Sequence, residues 1–285
     1  MPFFSTLYLE AEMKLSIFFR TLFVCAVSAV LIVTAASCTM FDEDLLDLSG
    51  GEPSDLSVAE LYERMQKAND PEKVYANAKT YRMVQEVESV DASKSKDFYS
   101  AEVLFKTPDQ VKQISLRNGK PFSTLIYNNG KAWYVNGEKS KPVPPGTGLN
   151  LITAFSRMLK PGNNFSAIFQ DVRIDTKFEN GKKYYRLICR VQDPNIAPYV
   201  FYIDAKTYLT RKLETILYGD DGNGRKFLYT AISEDYQWFS KVRIARRSMI
   251  TVAGKTDESK LVSFMIDPEI PDSEFQPPIP WNHAK

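Results

Sequence analysis

The sequence predicts an α+β fold in which an antiparallel sheet of about eleven strands curls strongly, as a barrel or an incomplete one, beneath covering helices. Three observations lead there. Apolar and polar residues alternate with period two in run after run, beginning with Tyr81, Met83, Gln85 and Val87 against Arg82, Val84, Glu86 and Glu88. Asn129-Gly130 and Asn180-Gly181 separate such runs, and both residue types accept the positive φ of a tight hairpin. Good helical periodicity is confined to two stretches, near Val58 to Ala68 and Leu149 to Leu159, so the elements that can cover the sheet are few.

Taken in order, the chain opens on a leader. Met1 to Glu12 carries two acids and no base, whereas Met13-Lys14 and Arg20 before the apolar run Thr21 to Ala36 read as the n-region and h-region of a signal peptide, with translation starting at Met13. The run is about 16 residues, short for a membrane span of roughly 20. It ends in Ala35-Ala36-Ser37-Cys38, small residues directly before a Cys, which resembles a bacterial lipobox. The expectation is that residues 1–37 are removed and that Cys38 is lipidated, with more than one acyl chain giving stable attachment. Thr39 to Asp55 then holds six acids and no base, with Ser49-Gly50-Gly51 and Pro53 as breakers, so residues 38–55 are expected to be an acidic tether. Leader and tether removed, 34 bases face 27 acids from Leu56 onward, a net charge of about +7. No basic cluster is dense enough to argue for nucleic acid.

The folded part, residues 56–285, enters through a helix. Ser57 with Glu60 makes a capping box, Leu56 with Leu61 a hydrophobic staple, and Val58, Leu61, Tyr62, Met65 and Ala68 share one face. Asp70-Pro71 is expected to begin a short second helical turn. Strand patterns follow at Tyr81 to Glu88, Tyr99 to Lys106, Val111 to Leu116, Phe122 to Tyr127 and Lys131 to Val135. After the Pro and Gly loop Lys139 to Gly148, Leu151, Ile152, Phe155, Met158 and Leu159 recur at helical spacing until Pro161-Gly162 stops them. This helix interrupts a meander, so its apolar face is expected to lie across the sheet, as a closed core or as a lid over a cavity. Strand patterns resume from Val172 to Phe178 and close with Leu261 to Ile266.

The residues that could carry bond chemistry are few. Cys25 leaves with the leader and Cys38 is taken by lipid, so Cys189 alone remains and no intrachain disulfide can form in the mature domain. Cys189 falls in the strand pattern Tyr185, Leu187, Cys189, Val191 and reads as a small buried hydrophobe, while the single histidine, His283, sits in a Pro-rich tail. Asp220-Asp221-Gly222-Asn223-Gly224 has calcium-loop letters without the acid ladder such a loop needs, and reads as a hairpin loop. Lys241, Arg243, Arg246 and Arg247 read as a solvated outer face, with a phospholipid headgroup contact as the alternative. No catalytic residue, metal or cofactor is expected.

Several phrases, in order, carry a resemblance. Phe105-Lys106-Thr107-Pro108-Asp109-Gln110-Val111-Lys112, Asn128-Asn129-Gly130-Lys131-Ala132-Trp133-Tyr134, the helix after a Pro-rich loop, Phe201-Tyr202-Ile203-Asp204, and Phe275 before Pro277-Pro278 resemble the family of outer-membrane lipoprotein-sorting proteins, LolA and LolB and their relatives. The resemblance spans most of residues 56 to 280, and the chain is longer than either. It implies an unclosed antiparallel half-barrel whose concave apolar side, covered by helices, holds acyl chains of a lipid or lipoprotein. Cys38 makes the chain more similar to the anchored LolB than to the soluble LolA. On that reading the groove is lined by Tyr99, Val103, Phe105, Leu125, Trp133, Leu187 and Phe201, under a lid of Leu151, Ile152, Phe155, Met158 and Leu159. The expected place is the cell envelope, lipid-anchored through Cys38 on the periplasmic face of the outer membrane, since Thr39 is not the Asp that resembles an inner-membrane retention signal. The alternative from another class is a periplasmic sensor or scaffold of the same fold that binds a protein partner.

Overall fold

A computed structural model describes residues 45–90, 98–162, 164–218 and 226–278. The leader, Cys38, the loop around Asp220 and His283 lie outside the described residues.

Among these, one sheet of fourteen strands contains every strand. They are β1 (Glu52–Pro53), β2 (Thr80–Ser89), β3 (Phe98–Lys106), β4 (Gln110–Arg117), β5 (Lys120–Asn128), β6 (Lys131–Asn136), β7 (Lys139–Pro142), β8 (Asp171–Glu179), β9 (Lys182–Arg190), β10 (Tyr199–Asp204), β11 (Thr210–Tyr218), β12 (Lys226–Phe239), β13 (Val242–Val252) and β14 (Lys255–Ile266). Their spatial order is β1-β8-β9-β10-β11-β12-β13-β14-β2-β3-β4-β5-β6-β7. Every pairing is antiparallel, and β14 returns to pair with β2, joining two meanders. Strands β1 and β7 are the two free edges, so the sheet curls without closing. Side chains from β2 to β6 and from β9 to β14 share one buried apolar cluster, which requires the sheet to wrap around it.

The expected hairpins form where the turn chemistry placed them. Asn129 and Gly130 take φ of 48° and 81°, and Asn180 and Gly181 take 50° and 74°, the positive values that only such residues adopt cheaply. The strand count exceeds the expected eleven by three, and two of these, the edge strands β1 and β7, are short and carry no alternating pattern of their own.

Helix α1 (Val58–Asn69) has its capping box: Glu60 N–H donates to Ser57 Oγ at 3.2 Å and Ser57 N–H to Glu60 Oε2 at 2.8 Å. The helical turn expected after Pro71 does not form. Asp70 instead accepts the backbone N–H groups of Val74 (2.7 Å) and Ala76 (2.8 Å), tying residues 71–76 into turns. Between β7 and β8 lie α2 (Thr147–Leu159) and the short α3 (Phe165–Ile168), which Asn164 caps and which carried no sequence signal of useful length.

Part of the expected acidic tether is folded. Residues 45–49 lie on the outer face of the sheet, where Leu46 packs with Ile188, Val200, Tyr202 and Ile216. The fully buried Arg186 guanidinium grips Asp175 through Nε (2.8 Å) and Nη2 (2.6 Å) and donates to the Asp47 (2.5 Å) and Ser49 (3.1 Å) carbonyls. Lys177 pairs with Asp47 and Lys183 with Asp55. The acids that suggested a solvated arm are thus partly consumed by basic partners of β8 and β9, and the intervening leucines supply the burial. On the opposite part of the outer face, Phe275 packs on Leu104 and Ile270, and Ser140 Oγ donates to the Pro278 carbonyl.

Candidate functional site

The concave face is built by the inward phase of each strand. Tyr81, Met83 and Val87 on β2 pair in register with Phe105, Val103 and Tyr99 on β3, and these continue to Val111 on β4 and to Leu125 and Tyr127 on β5. Leu187 of β9 pairs with Phe201 of β10 on the far wall. Of the expected groove residues, Tyr99, Val103, Phe105, Leu125, Leu187 and Phe201 therefore belong to one interior, and all are buried. Trp133 does not. On β6, Ala132 and Tyr134 point inward, so Trp133, paired with Ile126 and Pro142, stands half-buried on the outer face. Its aromatic bulk suggested the interior, but the phase of the strand is set by its smaller neighbour.

Helix α2 is the cover. Leu151, Ile152, Phe155 and Leu159 are buried in the same cluster, and Met158 packs at its margin. The helix is fastened at both ends. Near its start, Asn150 donates to Asp193 Oδ2 at 2.9 Å, in the loop between β9 and β10. Burial opposes ionisation of Asp193, but hydrogen bonds from Asn150, Asn195 and Thr147 outweigh it and hold the carboxyl below its usual range. At the other end, the hydroxyls of Tyr75 and Tyr81 both donate to the Leu159 carbonyl at 3.0 Å. Tyr81 is itself stacked on Phe105 (centroids 5.1 Å apart) and lies 5.7 Å from Phe264. Gly162, at φ 72°, lets the chain leave α2 beside residue 76: a Cβ there would meet the Ala76 carbonyl oxygen at 2.6 Å.

Two cavities flank this latch. One, about 200 Å³, lies between α1 and α3 and is walled by Tyr62, Met65, Phe165, Phe169 and Phe201. The other, about 240 Å³, lies between the latch and the β12–β13 hairpin and is walled by Tyr81, Met83, Val242, Ile244 and Phe264. Asn69, Tyr75 and Met158 border both. The interior is thus open at the C-terminal end of α2.

No family model and no curated protein matches the sequence. Solved structures do match the fold. A LolA superfamily protein from Nitrosomonas europaea superposes with a TM-score of 0.54 at 13% identity, covering 78% of this chain and 98% of that one. The fold is LolA/LolB-like. A domain proposed to sort outer membrane lipoproteins, from Vibrio parahaemolyticus, gives 0.50 at 14% identity over 77% and 97% of the two chains. A DUF1329 family protein from Desulfovibrio piger gives 0.52 at 8% identity over 77% and 95%.

Within this LolA/LolB-like frame, the interior carries polar residues that the apolar pattern concealed. Gln113 and Ser115 alternate with Lys112 and Ile114 in phase with Val111, and both are fully buried on the concave face. The signal was present as an inward Gln and Ser in a strand whose outward residues are also mixed. Cys189 is buried in the same interior, and burial pushes its thiol well up, away from the reactive thiolate. In the β12–β13 hairpin, Lys241 of the turn pairs with Glu72 at 2.6 Å, Arg246 with Asp235 at 3.8 Å and Arg247 with Glu234, so three of the four basic residues face acids. Among the described residues no cluster of His, Cys, Asp and Glu could hold a metal, and no helix is long and apolar enough to cross a membrane.

Proposed function

We propose that this protein is a lipid-anchored envelope lipoprotein that takes acyl chains of a lipid or lipoprotein into the concavity, in lipoprotein sorting or lipid transport to the outer membrane. The observation that carries this is the pair of aromatic- and methionine-lined cavities on either side of Met158, beside a cover whose ends are held by hydrogen bonds. An apolar space next to a releasable helix suits a chain that must leave water, at about 0.8 kcal/mol per buried methylene. Displacing α2 exposes the floor of Val103, Phe105 and Leu125 and joins the two cavities. The fold of the neighbours supports the reading, and binding requires no bond chemistry.

The anchor fits the same picture. Residues 45–49 are docked on the outer face of β9 to β11, away from the concavity. The stretch from Cys38 to Leu45 spans at most about 25 Å, so a lipid on Cys38 would hold that outer face near a bilayer and leave the cover free to move.

The test is titration of the purified protein with a fluorescent fatty acid, beside native mass spectrometry of the protein as isolated. Saturable binding at micromolar concentration is expected, and Met158→Trp, which fills the wall between the cavities, should weaken it by about tenfold or more without unfolding the protein. Absence of saturable binding by the folded wild type, with no copurifying lipid, would overturn the reading and favour the sensor or scaffold alternative.

A further inference from the structure

We infer that Gln113, with Ser115, forms a polar subsite on the floor of the concavity that recognises the amide linkage of an N-acylated ligand. Gln113 stands at the centre of that floor, in register with Val103 on β3 and Leu125 on β5. It is fully buried, yet neither its amide nitrogen nor its amide oxygen has a hydrogen-bond partner among the described residues. The Ser115 hydroxyl, two residues on along the same face, is in the same condition. So is Ser156 on the cover, one turn from Ile152 and Leu159 on the helix face that meets the interior. Buried polar atoms are almost always paired, and a carboxamide left unpaired among valine and leucine is worse for stability than leucine would be. Thr176 and Ser259 also carry a buried unpaired hydroxyl, but among these groups Gln113 is the one that offers a donor and an acceptor side by side, with Ser115 next to it on the same strand face, which is what a site built for a polar group inside an apolar ligand would show.

The chemistry of the carboxamide selects the ligand. It offers an N–H donor and a carbonyl acceptor side by side, and an amide linkage presents the complementary acceptor and donor. An ester would leave the Gln113 oxygen unpaired, since it has no donor. A carboxylate would meet that oxygen with a negative charge that the carboxamide cannot neutralise. The Ser115 hydroxyl can supply a second donor to the same carbonyl. The acyl chain would then run from this point over Val103 and Phe105 toward the cavities beside Met158.

This inference rests on the acyl-binding reading, and the experiment separates the two. Dye displacement from the purified protein is measured with N-dodecanoylglycine methyl ester and with dodecyl ethyl ether, for wild type, Gln113→Leu and Gln113→Met. The wild type is expected to bind the amide about tenfold more tightly than the ether. Both variants should lose that preference, binding the amide no more tightly than the ether, with ether affinity kept and a melting temperature no lower than wild type. Equal binding of amide and ether by wild type, or discrimination retained in the variants, overturns the subsite alone. Binding of neither ligand by folded wild type overturns the acyl reading as well. Loss of fold in both variants also overturns the subsite, because the carboxamide would then be needed by the protein itself.

Discussion

Removing the hydroxyls of Tyr75 and Tyr81 asks whether α2 is a separable cover or a permanent part of the core. Both hydroxyls donate to the Leu159 carbonyl, one of the last carbonyls of α2, which no further helical turn can satisfy. Tyr81→Phe keeps the ring stacked on Phe105 and removes one hydrogen bond, a loss of about 1 kcal/mol. Adding Tyr75→Phe removes the second, and the pair together should weaken closure by about 2 kcal/mol, roughly thirtyfold in the equilibrium between closed and open cover. Two measurements read this. Native-state amide exchange of residues 147–159 should proceed through an opening with a smaller denaturant dependence than that of β3 and β9, because it exposes less surface than global unfolding. The association rate of a fluorescent fatty acid should rise about thirtyfold in the double variant, following the open fraction. If α2 exchanges with the same denaturant dependence as β3 and β9 in both proteins, and association is unchanged, the helix moves only when the whole domain unfolds and the cover is not a lid.

Three further outcomes follow from other contacts. Arg186→Met should cost about 3 kcal/mol in denaturant unfolding and render residues 45–49 sensitive to protease, because Asp175 loses a bidentate partner and the strap loses its two carbonyl contacts. Cys38→Ser should release the protein from membranes or leave the leader uncleaved; a variant processed and membrane-bound as before, by fractionation, would refute the lipobox. Asp193 is held below its ordinary carboxylate range of 3.8, so it contributes stability above that pH and the contribution is lost as pH falls through the lower folded value. The clamp on Asn150 should therefore loosen below about pH 3.8, seen as faster amide exchange at the start of α2 in wild type and as no added pH effect there in Asp193→Asn.

The architecture was legible because it rests on local rules that agree with one another. Period two, Asn-Gly turns and the Ser57 capping box each act over a few residues, and each is satisfied in the structure. What escaped was decided by partners distant in sequence. The acids of residues 45–55 look like a solvated arm until Lys177, Lys183 and Arg186, more than a hundred positions away, are placed beside them. The short strands β1 and β7 exist because a neighbour offers an edge, which no pattern of their own announces. Trp133 shows the complementary error: hydrophobicity names a side chain that prefers burial, while strand phase decides which face receives it, and both faces of this sheet are partly covered.

The concavity lies between these cases. Its walls could be named in advance, since Tyr99, Val103, Phe105, Leu125, Leu187 and Phe201 all lie in the inward phase of their strands. How far it is filled depends on the seating of one helix, which rests on the burial of Leu151, Ile152, Phe155 and Leu159 and, at its ends, on two tyrosines reaching a single carbonyl and a loop carboxylate reaching Asn150. The buried side chains Leu151, Ile152, Phe155 and Leu159 oppose lifting the cover, because every methylene exposed costs free energy. Polar contacts also sit at both ends of the helix, cavities adjoin its C-terminal end, and unpaired polar groups share the interior it helps to cover. On the proposed function, a ligand that brings its own apolar chain and its own amide would fill the cavities and pair the unpaired groups, which would give opening a driving force.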